Sequence, residues 1–537
     1  MKKIKLAVAF VFFSTWMAAQ NFTLYGDKTF GGNLLEDEVL ITYIDTNKIL
    51  LTCSSISDIY WDKTDPLCVA NATDLWVIMM DTNFQIHWQK SVGGIGPEEN
   101  YNVLVLPNSP YIFLGSGSGS DSSCEKTENR RGPAQGDYWI CKMDTSGTIL
   151  WDKTFGGVVS EADVNIVQLT GGDYVVAGKS NSIVGWDKTV ANFGTFNIWI
   201  VKFDSLGNKL WDKVYGGSAG EALPTLMSEA DGGFVMSAVT QSPVSGTITQ
   251  PGIGGQDYYL TKIDSGGNVV WDKRYGGISG DVCYASIKTN DGGFLLGGNT
   301  GSPVSGDITE PSRGSGDIWL IKTDSLGNKQ WEKRYGGNKN DRIDELAKAP
   351  GGGYWFSGIT YSDSSYEVSE NVYGGPQDYW IVKIDSVGNK LWDKQFGGDG
   401  GEYKTSFIVM PDSSIFLAGT SFDGQSAVKI DTSKGDGDIW IVHFKYSDVG
   451  TGLQENNNNS NGVKVWPNPA TNQINIKCSN TTEKATLTMY DQTGQLVYKK
   501  ERVLLNTQVN ISQLTKGVYY LNAVGDKINK TVKVVKM

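Results

Sequence analysis

The feature that most constrains this 537-residue chain is a phrase of the form Trp-Asp-Lys-x-aromatic-Gly-Gly, which recurs about every 60 residues. Clear copies begin at Trp151, Trp211, Trp271, Trp331 and Trp392, and weaker copies begin at Gly26 and Trp88. Seven copies at one period predict an array of equivalent structural units.

Each unit predicts four antiparallel strands, named A to D in chain order. Apolar runs on both sides of a tight turn, often Asp-Gly-Gly-Phe, predict strands A and B. An aromatic run such as 198–204 predicts strand C, and the Trp phrase itself predicts strand D. Four antiparallel strands per repeat are typical of a propeller blade, whereas a helical solenoid would show a 3.6-residue period. The sequence therefore predicts an all-β fold: a seven-bladed β-propeller over residues 20–446, followed by a small β-sandwich.

The two ends of the array complement each other. Residues 22–30 resemble a lone D strand, and 438–444 form a C strand with no D strand after it. We expect the N-terminal strand to complete the last blade, which would pair two otherwise exposed sheet edges.

The segments outside the propeller have distinct compositions. Lysines 2, 3 and 5, an apolar run and a small-residue end predict a cleaved secretory signal peptide over residues 1–19. Residues 447–462 contain a run of four asparagines and are typical of a flexible linker. No later stretch has the length and hydrophobicity of a membrane-spanning helix, so we expect a secreted protein without a transmembrane segment.

Charge and motifs exclude several functions. The net charge of -12 excludes a nucleic-acid partner, because phosphate binding needs clustered Lys and Arg. The chain has only two histidines, and it has no GxSxG, HExxH or phosphate-loop motif. We therefore expect no catalytic residues, cofactor or metal site, although carboxylate pairs leave glycoside chemistry open.

Six cysteines in an exported protein make disulfides possible. Their spacing along the chain nominates Cys53 with Cys68 and Cys124 with Cys141.

Every copy of the phrase has a lysine, and every unit has a carboxylate four residues past the second Gly of the phrase. A partly buried ammonium needs a counter-charge, so we interpret these residues as Lys–carboxylate pairs that connect blades. The alternative is a carboxylate ring around the central channel that attracts a cation. The carboxylates are Glu36, Glu98, Glu161, Glu221, Asp281, Asp341 and Glu402.

The path of the chain through a blade places the D-to-A linker and the B-to-C loop on one rim and the tight turns on the other. The B-to-C loops are long and differ between repeats, and variable loops on a rigid frame are typical of a binding surface. Candidate ligand-binding residues on this rim are Trp61, Arg130, Arg131, Trp186, Phe193, Arg313, Tyr361, Tyr366 and Tyr373.

Residues 463–537 combine a Pro-Asn-Pro start, a Gly-Gln-Leu-Val hairpin, a Gly-x-Tyr strand and a basic, valine-rich end. They closely resemble the C-terminal sorting domain of the type IX secretion system. The resemblance implies that the type IX machinery is a partner, that the domain directs passage across the outer membrane, and that it is then removed.

The hairpin from Asp204 to Trp211 is similar to the tryptophan-docking motif of quinoprotein-like propellers. It is one residue shorter between Asp and Gly, and the chain has no adjacent Cys pair. Quinone binding is therefore not carried over.

These observations favour a monomeric, non-catalytic surface protein that binds a glycan or a protein through its B-to-C loops. The first alternative is a carbohydrate-active hydrolase or lyase that uses rim carboxylates such as Glu161 and Glu221. The second is a structural surface component.

Overall fold

The computed structural model describes residues 21–106, 109–133, 136–422, 428–447, 463–466, 470–478, 484–491, 496–525 and 528–536. The predicted signal peptide (1–19) and residues 448–462 of the predicted linker lie outside these ranges. Every regular element within them is a β-strand, so none of the described segments is a helix that could cross a membrane.

The described part of the repeat region contains 28 strands. They are β1 (Asn21–Phe30), β2 (Glu36–Asp45), β3 (Lys48–Ser55), β4 (Asp74–Asp81), β5 (Ile86–Val92), β6 (Glu98–Val105), β7 (Tyr111–Ser118), β8 (Asp137–Asp144), β9 (Ile149–Phe155), β10 (Glu161–Gln168), β11 (Tyr174–Ser180), β12 (Asn197–Phe203), β13 (Lys209–Tyr215), β14 (Glu221–Ser228), β15 (Phe234–Thr240), β16 (Asp257–Ile263), β17 (Val269–Tyr275), β18 (Asp281–Lys288), β19 (Phe294–Thr300), β20 (Asp317–Thr323), β21 (Lys329–Tyr335), β22 (Asp341–Lys348), β23 (Tyr354–Thr360), β24 (Asp378–Ile384), β25 (Lys390–Phe396), β26 (Glu402–Val409), β27 (Ser414–Ser421) and β28 (Asp438–Ser447).

These strands form seven four-stranded sheets. Sheets 1 to 6 contain consecutive strands, from β2–β5 in sheet 1 to β22–β25 in sheet 6. Sheet 7 has the order β26-β27-β28-β1, so the N-terminal strand is the D strand beside the last C strand. Each A strand contacts the A strand of the next sheet, and β26 contacts β2, which closes the cycle. The all-β propeller fold that the repeats predict is confirmed.

Apolar side chains fill the spaces between neighbouring sheets. Leu50, Val77 and Met79 of sheet 1, for example, belong to one buried cluster with Trp139 and Cys141 of sheet 2. Most C strands are buried along almost their whole length, which explains why they appear in the sequence as apolar runs without alternation. Full burial of one such side chain contributes about 1.5–3 kcal/mol.

The Trp and Asp of the repeated phrase have separate tasks. The Trp lies in the outer D strand and contacts the next sheet: the indole of Trp88 donates to the carbonyl of Thr145 at 3.1 Å, and Trp331 donates to Ser386 at 3.2 Å. The Asp side chain accepts a hydrogen bond from a buried C-strand tryptophan, as Asp212 does from Trp199 at 3.0 Å. The phrase therefore connects sheets through its Trp and strands through its Asp.

The C-terminal segment is a separate compact unit. Its strands are β29 (Val463–Trp466), β30 (Gln473–Cys478), β31 (Lys484–Tyr490), β32 (Leu496–Leu504), β33 (Asn506–Asn510), β34 (Gly517–Gly525) and β35 (Ile528–Lys536). They form a three-stranded sheet, β29-β30-β33, and a four-stranded sheet, β32-β31-β34-β35. Ile474, Ile476 and Val509 of the first share one buried core with Leu487 and Leu521 of the second.

Candidate ligand-binding rim

Strand register places the long loops together on one rim. In sheet 1, Glu36 at the start of strand A pairs with Ser55 at the end of strand B, and Ser55 pairs with Asp74 at the start of strand C. The D-to-A linker and the B-to-C loop therefore meet at one end of the sheet, and the tight turns lie at the other.

Each B-to-C loop is held by the first residue of the following C strand. Asp74 accepts a hydrogen bond from the backbone N–H of Cys68 at 2.7 Å, and Asn197 accepts one from Phe193 at 2.8 Å. Seven loop residues share this position, and we call them clasp residues. They are Cys68, Arg131, Phe193, Ile253, Arg313, Tyr373 and Lys434.

Six of the seven clasp residues contact a two-residue turn in the loop of the next sheet. Arg131 forms an ion pair of 2.7 Å with Asp187, Arg313 forms one of 3.1 Å with Glu367, and Lys434 pairs with Asp62. Two further clasp residues are apolar: a Cβ added to Gly246 would lie 2.8 Å from the ring of Phe193, and one added to Gly306 would lie 2.7 Å from Ile253. The rim is therefore tied from loop to loop.

The predicted disulfide pairs were wrong. Cys68 is bonded to Cys124, whereas Cys53 and Cys141 are free, buried thiols inside strands β3 and β8. Cys68 is a clasp residue and Cys124 lies in the turn of the next sheet, so the bond joins two loops. The spacing argument failed because it sought partners within one repeat, and the fold brings successive repeats together.

The predicted pairing of the repeated lysines with the strand-A carboxylates was also wrong. Five of the seven lysines pair instead with acids in the B-to-C loops, for example Lys153 with Glu128 at 2.7 Å and Lys394 with Glu370 at 2.8 Å. The reason is geometric, since the lysines lie on the outermost strand and the strand-A carboxylates on the innermost.

The seven strand-A carboxylates are almost fully buried. Glu98 accepts hydrogen bonds from the backbone N–H of Gly94 and the hydroxyl of Ser118, at 2.9 and 2.7 Å, and the other sheets repeat this pattern. Burial raises the pKa of Glu36 and that of Glu98 to about 7, against the hydrogen bonds that favour the ionised form. These carboxylates hold the D-to-A linker to strand B.

The nine predicted rim residues divide into two groups. Arg131, Phe193, Arg313 and Tyr373 are clasp residues, Arg130 forms an ion pair of 3.5 Å with Asp121 in its own loop, and Tyr361 is half-buried. The other three are Trp61, Trp186 and Tyr366, whose side chains are 64%, 68% and 69% exposed.

These three aromatics occupy the same turn position in sheets 1, 3 and 6. In each case the neighbouring residues exchange two backbone hydrogen bonds across a two-residue turn, as Tyr60 and Lys63 do at 3.0 and 2.9 Å. The φ angles of Trp61, Trp186 and Tyr366 are +49°, +55° and +49°. In sheets 4 and 5 the position is Gly246 and Gly306, with φ of +57° and +56°.

A left-handed backbone costs a bulky residue about 1–3 kcal/mol, and glycine takes the same turn freely. The turn therefore does not need an aromatic residue, and the three aromatic side chains weaken it. The same position is Cys124 in sheet 2, with φ of +49°. An alignment of the repeats against each other would have shown large aromatics at three copies of a position that holds glycine or cysteine in others, a signal that spacing along the chain does not give.

Buried cations support the rim from below. Lys126 reaches from the loop of sheet 2 to the strand-D residue Thr154, whereas in sheet 4 the cation comes from strand D itself, where Arg274 contacts Asp257 at 2.6 Å. Burial lowers the pKa of Lys126 to about 8. A positive charge therefore lies beneath the loop in both sheets, supplied by a loop lysine in sheet 2 and by a strand-D arginine in sheet 4.

Taken together, the cycle of sheets and the C-terminal module define a secreted β-propeller protein. Residues 464–537 match the family described as the secretion system C-terminal sorting domain. This match confirms the resemblance to type IX sorting domains and indicates secretion to the cell surface or the extracellular space.

A curated relative is the regulatory protein FlaEY of Caulobacter vibrioides, 22% identical over 273 residues, which are 46% of this chain. The alignment covers 28% of FlaEY, so the chain spans less than a third of that relative.

Similar solved structures include the Pan2 WD40 domain of Neurospora crassa, with 9% identity, 79% of this chain and 96% of that chain covered, and a TM-score of 0.42. The endosialidase of phage phi92 is 12% identical, with 96% and 87% covered and a TM-score of 0.39. PorZ of Porphyromonas gingivalis, a surface component of the type IX secretion system, is 10% identical, with 93% and 75% covered and a TM-score of 0.25.

Proposed function

We propose that this protein is a non-catalytic surface protein that binds a polysaccharide through Trp61, Trp186 and Tyr366. The observation that carries the proposal is the conformation of these residues: all three are largely exposed, and all occupy a left-handed turn position that glycine fills in sheets 4 and 5. Strained residues of this kind cluster at ligand-binding sites.

The chemistry of the rim fits a glycan. The flat face of an aromatic ring packs against the C–H face of a sugar ring, and tryptophan and tyrosine also carry a polar group for its hydroxyls. The clasp contacts keep the loops in place before a ligand arrives, which lowers the entropy cost of binding. Three anchors on one rim suit an extended chain rather than a single sugar.

The hydrolase or lyase alternative has less support. It depends on carboxylates such as Glu161 and Glu221, whose oxygens accept hydrogen bonds from backbone and hydroxyl groups inside their own sheets. Both residues are at most 2% exposed, so they offer a substrate little surface.

The test is a binding screen with the mature chain against neutral and acidic polysaccharides, with product analysis on every ligand that binds. We expect retention of at least one polysaccharide without depolymerisation. Cleavage of the bound polysaccharide would favour the enzyme alternative. The glycan proposal would be overturned if the chain bound no polysaccharide and instead captured a surface protein that cross-links at position 61 or 186. That result would favour a protein ligand.

A further inference from the structure

A groove on the outer flank of the propeller lies between the D strands of sheets 3 and 4. This open groove has a volume of about 670 Å³, within the size range of small-ligand sites. We call it the flank groove, and its lining includes Lys213, Thr247, Gln250, Asn268 and Val269. It is separate from the exposed aromatics of the proposed glycan-binding rim.

Two other grooves of the ring show what this place can hold. Between sheets 2 and 3, Lys153 pairs with Glu128 at 2.7 Å, Glu128 with Arg131 at 2.8 Å, and Arg131 with Asp187 at 2.7 Å. Lys209 completes this ionic chain by donating to the carbonyl of Asp187.

The groove between sheets 5 and 6 repeats the arrangement. Lys333 and Arg313 both contact Glu310 at 3.2 Å, Arg313 contacts Glu367 at 3.1 Å, and Lys390 donates to the carbonyl of Glu367. Two carboxylates and three cations therefore fill the space in both grooves.

The flank groove keeps only the first lysine of this chain. The four remaining positions are taken by neutral residues: Val190 for Glu128, Phe193 for Arg131, Thr247 for Asp187 and Val269 for Lys209. Thr247 still takes the structural part of the aspartate, since it accepts the N–H of Gly216 at 2.9 Å as Asp187 accepts that of Gly156 at 3.3 Å. Two of these neutral residues, Thr247 and Val269, line the open volume.

Lys213 is thereby left without an ion-pair partner among the described carboxylates. Its ammonium donates to the carbonyl of Gly267 and to Oδ1 of Asn268, both at 3.0 Å, and an ammonium has a third donor. Asp264, a carboxylate in the same turn as Asn268, forms no ion pair with Lys213, and its oxygens accept hydrogen bonds from Gly266 and Asn268 of the turn itself.

We propose that the flank groove binds an acidic saccharide, whose carboxylate takes the place beside Lys213 that Glu128 takes beside Lys153. Thr247, Gln250 and Asn268 supply hydroxyl and amide groups for the sugar hydroxyls, and Val270, which is 59% exposed, supplies an apolar surface for the ring. Two lysines, Lys213 and Lys273, line the groove beside one carboxylate, Asp272, whose oxygens already accept hydrogen bonds from Thr249. In a protein of net charge -12, this local balance favours an anion.

The test is calorimetric titration of the mature chain with trisaccharides of galacturonate, glucuronate and mannuronate, each beside its methyl ester. The ester keeps the sugar and removes the charge. We expect at least one uronate to bind and its methyl ester to bind more weakly by a factor of about ten or more. The affinity for the uronate should fall as the NaCl concentration is raised. Equal binding of acid and ester, or binding of none of the three acids, would overturn the proposal.

The matched variant restores the ionic chain of the neighbouring groove. V190E/T247D places both carboxylates beside Lys213. We therefore expect this variant to lose uronate binding while its melting temperature stays at or above that of the wild type. K213M tests the lysine alone and should weaken binding of the uronate without changing the affinity for its methyl ester. Unchanged uronate affinity in V190E/T247D, or tighter binding of a glutamate-rich peptide than of any uronate, would contradict the assignment. W61G/W186G/Y366G should bind the uronate normally, which separates this site from the proposed rim site.

Discussion

The disulfide between Cys68 and Cys124 joins the loops of sheets 1 and 2, and a 2.7 Å ion pair between Arg131 and Asp187 joins the equivalent loops of sheets 2 and 3. A covalent bond and an ion pair thus perform the same task in successive copies of one structural unit. The same loop-to-loop contact is therefore made by different chemical groups in different sheets, and the disulfide is the strongest of these contacts.

Removal of this disulfide should weaken the propeller. C68A/C124A frees a loop of 56 residues, and bonds that close loops of this length stabilise proteins by about 2–4 kcal/mol. We expect a lower midpoint in urea unfolding followed by tryptophan fluorescence. Dithiothreitol should lower the wild-type midpoint to that of the variant and leave the variant unchanged; a wild type that is insensitive to the reductant would contradict this.

The aspartate of the repeated phrase should contribute to stability through its acceptors. Asp212 accepts hydrogen bonds from the buried indole of Trp199 at 3.0 Å and from the backbone N–H of Thr189 at 2.8 Å. D212A leaves both donors without a partner, so we expect a loss of about 2–4 kcal/mol in the free energy of unfolding. D212N retains one carbonyl acceptor and should lose less. Equal stability of D212A and the wild type would show that the phrase has another role.

The repeats made the sheets predictable, because period, turn signals and apolar runs all act locally along the chain. The partners of Cys68 and Lys153 were not predictable in the same way, since both depend on where a long loop folds back. The exposed turn residues Trp61 and Tyr366 were named from their chemistry, but their backbone strain needed three dimensions. The flank groove was missed because its signal is a loss of charge relative to the other repeats, visible only once equivalent positions are known.

Stability should fall as the pH rises through mildly acidic values. Burial raises the pKa of Glu98 in the folded state to about 7, above its ordinary value of 4.5. Between these two values the folded state holds a proton that the unfolded state has released, so rising pH favours unfolding. We expect the free energy of unfolding to decrease from pH 5 to pH 7.5, and E98Q to show a shallower decrease. An unchanged slope in E98Q would show that Glu98 is ionised throughout.

Export should require the C-terminal module. Residues 464–537 match the sorting-domain family, so a chain that lacks 463–537 should remain inside the cell. Fractionation and immunoblotting of cells and medium measure this directly. W61G/W186G/Y366G, with the module intact, is the control and should be exported normally; export of the truncated chain at the wild-type level would contradict the prediction.

The rim proposal makes an unusual prediction, in which stability and binding change in opposite directions. Glycine relieves the left-handed turn, so W61G, W186G and Y366G should each raise the free energy of unfolding by about 1 kcal/mol. A control triple variant on the tight-turn rim, L206S/L326S/V387S, removes comparably exposed apolar side chains. It should leave ligand affinity unchanged.

The most direct test is the affinity of W61G/W186G/Y366G for the polysaccharide that the wild type retains, measured by isothermal titration. We predict at least a hundredfold loss of affinity in a protein that unfolds at a higher temperature than the wild type. Wild-type affinity in this more stable variant would contradict the central claim that the strained aromatics are the binding site.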